Sequence, residues 1–260
     1  MRSFARLFQG VCASFLICAP AVASEDIGEP VPFSTTYDFY IGGLSIAEIT
    51  LNGAIGALEY SANSTVETRG ILEFLVSTRM KASAKGYRHT KGYLAPDEYQ
   101  TDYTTRSQAR EVNISYTGEV ADVSIKPAEP VKPYDIRAID HPGTLDPVTA
   151  AVTMMNPRNP EDLCNRSIPV FDGKRRYDIV LLPLSQRPEG KSAPPPSWDA
   201  PTIRCFGVYE RIAGFEGELQ NEQRYFPFDI WFEESADRYH KIVRLAGRTK
   251  IGFAIGTLRP

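Results

Sequence analysis

The sequence has 260 residues, 42% of them hydrophobic and 23% charged, with 20 Pro, 19 Gly and a formal net charge of −3. That balance excludes an acidic disordered tail, a collagen and a coiled coil, and it leaves enough chain to bury a core as one large β domain or two small ones. The chain also lacks the basic excess with which phosphate contacts hold nucleic acid, so no nucleic-acid partner is expected.

In chain order, Arg2 and Arg6 come first, Leu7 to Ala19 is largely apolar, and Ala21-Val22-Ala23 puts small residues where a signal peptidase needs them. Residues 1–23 therefore read as a secretory signal peptide cleaved after Ala23, and residues 24–260 as a single β domain. The apolar stretch is shorter than the ~20 residues a bilayer span requires, and no later stretch reaches that length, so no transmembrane segment is expected. Cys12 and Cys18 leave with the signal, and Phe15-Leu16-Ile17 ahead of Cys18 lack the small residue that lipid attachment favours. Losing two arginines and no acid moves the formal charge from −3 to −5.

Alternation with a period of two recurs through the rest of the chain. Thr35, Tyr37, Phe39 and Ile41 share one strand face, Gly42-Gly43 make a hairpin turn, and Leu44 to Leu51 returns. Further strands are predicted at Leu58 to Glu67, Arg79 to Tyr87, Asp97 to Thr105, Ala109 to Tyr116 and Ala121 to Lys126. Between them Gly70 to Val76 is an apolar patch that reads as a short helix or a buried bend. Short strands at this spacing indicate a meandering antiparallel sheet.

One helix is predicted. Asp146 is an N-cap before Pro147, and Val148, Ala151, Val152 and Met155 recur at i, i+3, i+4 and i+7 until Asn156-Pro157 ends the run. Such a stripe must bury, and the inner face of a curved sheet is the expected partner. Val170-Phe171, Asp172-Gly173 and Tyr177 to Leu182 then form a hairpin, with Asp-Gly as a two-residue turn. Ser185 to Pro201, with Pro194-Pro195-Pro196, reads as a mobile Pro-rich loop. The last strands are predicted at Thr202 to Tyr209, Phe228 to Glu233, His240 to Ala246 and Lys250 to Leu258.

Few residues carry recognisable chemistry. Cys164 and Cys205 remain after export, and in an oxidising compartment a lone pair is most economically a disulfide, worth about 4 kcal/mol for a loop of roughly 40 residues. A catalytic thiol or half of a metal site is the alternative, but the chain has three His and no Cys-x-x-Cys. There is no Gly-x-Ser-x-Gly and no phosphate-cradling glycine loop, and His89, His141 and His240 have no ligand at metal spacing, so no catalytic residue, metal or cofactor is expected. Asn63, Asn113 and Asn165 fit the short glycosylation pattern. Lys174-Arg175-Arg176 is a basic cluster that could hold an anionic group or simply be solvated. Aromatic residues, 11% of the chain, fill a β core or line an apolar cavity equally well.

Several segments resemble the domain of unknown function 3108 family of proteobacterial envelope proteins: Tyr37-Asp38-Phe39-Tyr40-Ile41-Gly42-Gly43-Leu44; Gly143-Thr144-Leu145-Asp146-Pro147; Cys164 followed by Val170 to Asp178; and Cys205 with Ile212-Ala213-Gly214-Phe215. The resemblance implies an exported, periplasmic β protein whose two cysteines pair. More distantly, such a protein is similar to the half-open sheets of periplasmic lipoprotein carriers, in which a helix lies in the concavity.

The expected fold is mainly β: one curved antiparallel sheet or half-open β-barrel wrapped around one short helix, with one disulfide. The expected function is non-catalytic. It is binding or carriage of a lipid, an acyl chain or a lipoprotein segment in the concave face, with Lys174, Arg175 and Arg176 at the rim. The alternative is an envelope-integrity protein that acts through a protein partner and takes no small ligand.

Overall fold

The structure, a computed structural model, describes residues 29–70, 73, 77–137, 142–156, 160–187, 201–216, 224–233 and 239–260. The expected signal peptide, most of the apolar patch at 70–76 and most of the Pro-rich loop lie outside the described residues. Among those described, thirteen strands form a single antiparallel sheet. They are β1 (Val31–Ile41), β2 (Leu44–Ile55), β3 (Glu59–Thr68), β4 (Arg79–Arg88), β5 (Leu94–Thr104), β6 (Ala109–Thr117), β7 (Val120–Lys126), β8 (Arg166–Phe171), β9 (Arg176–Pro183), β10 (Thr202–Ala213), β11 (Tyr225–Glu233), β12 (Ile242–Thr249) and β13 (Gly252–Leu258). The α-helix α1 (Pro147–Met155) lies between β7 and β8.

The sheet is two meanders, β1–β7 and β8–β13, joined where the first strand meets the last, with Tyr37 opposite Leu258 and Phe39 opposite Gly256. β7 and β8 are its edges and do not pair with each other. Alternation decides the faces: in β6, Val112, Ile114 and Tyr116 are buried while Ser115 and Thr117 are exposed.

What curls the sheet can be named. The strand register shifts at Phe39/Tyr40, Lys85/Gly86, Arg211/Ala213 and Trp231/Phe232. Each such bulge bends its strand and adds twist. Three cross-strand pairs set a phenylalanine ring over a glycine: Phe33 on Gly53, Phe39 on Gly256 and Phe228 on Gly207. A Cβ at Gly256 would sit 2.6 Å from the Phe39 ring and one at Gly207 2.3 Å from Phe228, so the ring occupies the space a side chain would take.

The curl brings the two edges together without joining them. Gly173, in the β8–β9 turn, packs so closely on β6 that a Cβ there would lie 2.6 Å from Val112, and its φ of 95° also favours glycine. Gly143 N–H donates to the Glu119 carbonyl in the β6–β7 turn (2.9 Å), and Leu145 bridges to Val170 on the outer edge of β8. The result is a half-open barrel whose seam is covered by the segment leading into α1.

Several strands run past or stop short of their expected bounds, β2 to Ile55, β10 to Ala213 and β11 from Tyr225 among them, and three of the differences have a local cause. β5 begins at Leu94, ahead of the predicted Asp97, because Pro96 is accommodated at the Lys85/Gly86 register shift. β8 begins at Arg166 although it contains Pro169, which is tolerated because β8 is an edge. The β8–β9 turn spans four residues instead of two, since Phe171 pairs with Arg176 and the Asp172 carboxylate accepts from the N–H groups of Lys174 (3.0 Å) and Arg175 (2.8 Å).

Candidate functional site

The interior of the half-barrel is organised by α1, which begins and ends at the predicted residues. Asp146 is its N-cap: one carboxylate oxygen accepts from Val148 N–H and Thr149 N–H, both at 2.9 Å, and the other from the Thr149 hydroxyl at 2.5 Å. Thr149 Oγ1 also lies 2.7 Å from the Tyr60 hydroxyl. With the threonine proton given to Asp146, Tyr60 is the donor, and a relay Tyr60 to Thr149 to Asp146 ties the helix start to β3. Asp146 is fully buried, and desolvation pushes its carboxyl up to about 6 against the opposing pull of those hydrogen bonds. Burial, followed by the Asp146 charge, holds the hydroxyls of Tyr60, Tyr99 and Tyr116 well above their ordinary range.

The C-terminal end of the helix is held as firmly. Its last carbonyls need donors. Arg166 supplies two, one to Thr153 O (2.8 Å) and one to Met154 O, while His240 N–H donates to Met155 O (2.7 Å). Burial lowers Arg166 to about 10, so it stays cationic at neutral pH and faces the negative end of the helix dipole. Cys164 and Cys205 are bonded, as expected, with a Cα–Cα distance of 5.3 Å, which ties the chain after the helix to β10.

Of the predicted stripe, Val148, Val152 and Met155 are buried and Ala151 is half-buried. Off the stripe, Ala150 is buried too, because it packs on Ile168 and Val170 of β8, and Thr149 is buried where it meets Tyr60 of β3. Ala151 is less buried because it faces a space that the helix does not fill. This cavity of about 180 Å³ lies between α1, strands β1–β5 and β12. Its deepest lining is buried: Tyr37, Leu51, Ala82, Tyr99, Val148, Met155 and Ile242. Phe39, Ile49, Met80 and Leu245, nearer the β1–β2 and β12–β13 turns on the same strands, are half-buried, as are Ala151 and Met154. That gradient sets the mouth at the end of the barrel carrying those turns. Apart from the tyrosine hydroxyls, Ser64 is the polar side chain in the lining.

Alternation did place Phe39 on the inner face with Tyr37. It could not bring Ile49, Met80 and Leu245 alongside, because inter-strand register is not written in any one strand. Met154 was missed because it lies off the helical stripe.

The three basic residues proposed for a rim sit at the β8–β9 turn, outside the cavity lining. Lys174 pairs with Glu129, which also receives Arg110 at 3.2 Å, and this holds β9 to the chain beyond β7 across the seam. Arg176 pairs with Asp178, and Arg175 lies over the Phe215 ring, 5.7 Å from its centre. Among the described residues, no group of three or more His, Cys, Asp and Glu side chains assembles into a metal site, and no helix is long and apolar enough to cross a membrane.

Comparison with known proteins gives a family and a distant structural likeness. Residues 36–259 match the family described as protein of unknown function, DUF3108. No curated protein matches. Among solved structures, the chain is similar to a β-barrel-like protein of the domain of unknown function DUF1849 from Brucella abortus, with a TM-score of 0.49 and 11% identity over 88% of this chain and 96% of that one.

Proposed function

The chain belongs to the DUF3108 family, a family described without an activity, and from that premise we propose that it is an exported, non-catalytic periplasmic protein that binds an acyl chain in the cavity beside α1. The observation that carries this reading is the cavity itself, which is apolar-lined, open at one end and roofed by a helix anchored at both ends. Its size refines the expectation. A cavity of roughly 150 Å³ accommodates one benzene, so about 180 Å³ takes the end of an acyl chain and not a whole lipid. The remainder of the chain would leave through the mouth between Phe39, Ile49 and Leu245. Export is supported by the leader-like start of the sequence and by the disulfide, which persists in oxidising compartments.

The alternative, action through a protein partner alone, has one observation in its favour: α1 fills most of the concavity. Native mass spectrometry of the protein isolated from its own envelope fraction separates the two. A co-purifying acyl species that is released on denaturation supports the acyl-binding reading, and a single ligand-free mass from the same fraction contradicts it.

A further inference from the structure

The cavity mouth opens at the end of the barrel where three neighbouring strand ends expose apolar side chains. The β1–β2 and β12–β13 turns pack side by side, with Gly42 N–H bonded to Phe253 O at 3.4 Å. These turns carry Leu44 and Ile251, which are 63% and 77% exposed. On the next strand, β11 begins at Tyr225, which is 58% exposed. Scattered apolar side chains on a surface mean little, but adjacent ones on tight turns are held out into solvent at a cost. Between them stand Arg248 and Lys250, both exposed and, among the described residues, without an ion-pair partner. The opposite end also exposes Leu58 and Tyr87, but there the cleft beside Tyr87 carries charges of both signs, Glu59 and Asp97 with Lys85, in place of an apolar lining.

We propose that this rim docks on an anionic lipid bilayer, with Leu44 and Ile251 entering the apolar boundary, Tyr225 at the headgroup level, and Arg248 and Lys250 against lipid phosphates. Aliphatic tips, an interfacial aromatic and cations form the combination that binds a membrane surface without spanning it. The geometry also connects the surface to the cavity. Phe39, at the mouth, is three residues from Gly42, about 10 Å at the rise of an antiparallel strand. An acyl chain whose end sits in the cavity can therefore have its headgroup at the bilayer plane. This inference rests on the acyl-binding reading for its purpose, but not for its measurement.

The test is co-sedimentation of the whole protein with vesicles of phosphatidylglycerol and phosphatidylethanolamine, and with vesicles of phosphatidylcholine alone, at low and high salt. Binding is expected to the anionic vesicles and to weaken in salt, since exposed charges are screened within about 10 Å at 0.1 M. Leu44→Asp with Ile251→Asp should reduce that binding at least tenfold while leaving the melting temperature unchanged, because both side chains lie on exposed turns. Arg248→Ala with Lys250→Ala should remove the salt dependence. The proposal is overturned if the intact protein does not bind anionic vesicles, or if the Leu44/Ile251 double variant binds as well as the parent. Ala151→Trp, which fills the cavity, should leave vesicle binding intact. If acyl binding fails while docking through Leu44 and Ile251 holds, the cavity reading falls alone; if docking fails while acyl binding holds, the surface falls alone.

Discussion

The Tyr60 hydroxyl lies 2.7 Å from Thr149 Oγ1, joining the barrel wall to the plug helix across 89 residues of sequence. The pair matters because Thr149 donates its hydroxyl hydrogen bond to the buried Asp146 carboxylate while accepting from Tyr60, so a single threonine satisfies both the wall and the cap. Thr149→Val keeps the shape and removes both contacts. It leaves one carboxylate oxygen and one tyrosine hydroxyl short of a partner in a buried site, and a stability loss of about 2 to 4 kcal/mol is expected from urea unfolding. Thr149→Ser keeps the hydroxyl and should recover most of that loss.

Asp146 makes stability depend on pH in a definite direction. Its folded value, about 6, lies above the ordinary 3.8, so the folded state holds more protons than the unfolded state between those limits. Stability therefore falls as pH rises from about 4 to about 6 and is flat with respect to this group above that. Two units correspond to roughly 3 kcal/mol. Asp146→Asn retains an acceptor oxygen for the cap and cannot titrate. Urea unfolding at pH 4.5 and 7 should show about 2 kcal/mol of this decrement in the parent and lack it in the variant; equal pH dependence in the two proteins would refute the assignment.

The disulfide closes a sequence separation of 41 residues that includes β8, β9 and the Pro-rich segment. In the chain-entropy account a loop of this length is worth about 4 kcal/mol. Thiol titration of the unreduced, denatured mature protein should find no free thiol. Cys164→Ser with Cys205→Ser should lower the unfolding free energy by several kcal/mol and loosen the C-terminal end of α1, read as faster amide exchange at Met154 and Met155.

The sequence disclosed those features that depend on neighbours in the chain. Asp146-Pro147 and Asn156 bound the helix because capping is local, and the alternation of Val112, Ile114 and Tyr116 marks an inner face without knowledge of the neighbouring strands. The two cysteines were readable because only two lie beyond the leader-like start of the sequence. What was hidden depends on register and curl. Nothing near Phe39 announces that Gly256 will lie beneath its ring, and nothing near Lys174 announces Glu129. The basic run accordingly invited a rim reading, whereas Lys174 pairs with Glu129 across the barrel seam and Arg176 with Asp178 on its own strand. The cavity was hidden for the same reason, since its lining comes from six strands and a helix that meet only after the sheet has curled.

The most direct test of the acyl-binding account is a titration of the folded protein with a fluorescent fatty-acid probe, comparing the parent with Ala151→Trp. Ala151 is half-buried at the cavity mouth, so a tryptophan there can enter the existing space without displacing the anchored faces of α1. The account predicts saturable binding near one probe per chain in the parent, and at least a tenfold loss in Ala151→Trp with a melting temperature equal to or above that of the parent, since filling a void is stabilising. Equal binding by the two proteins, or no saturable binding by the parent, would contradict it.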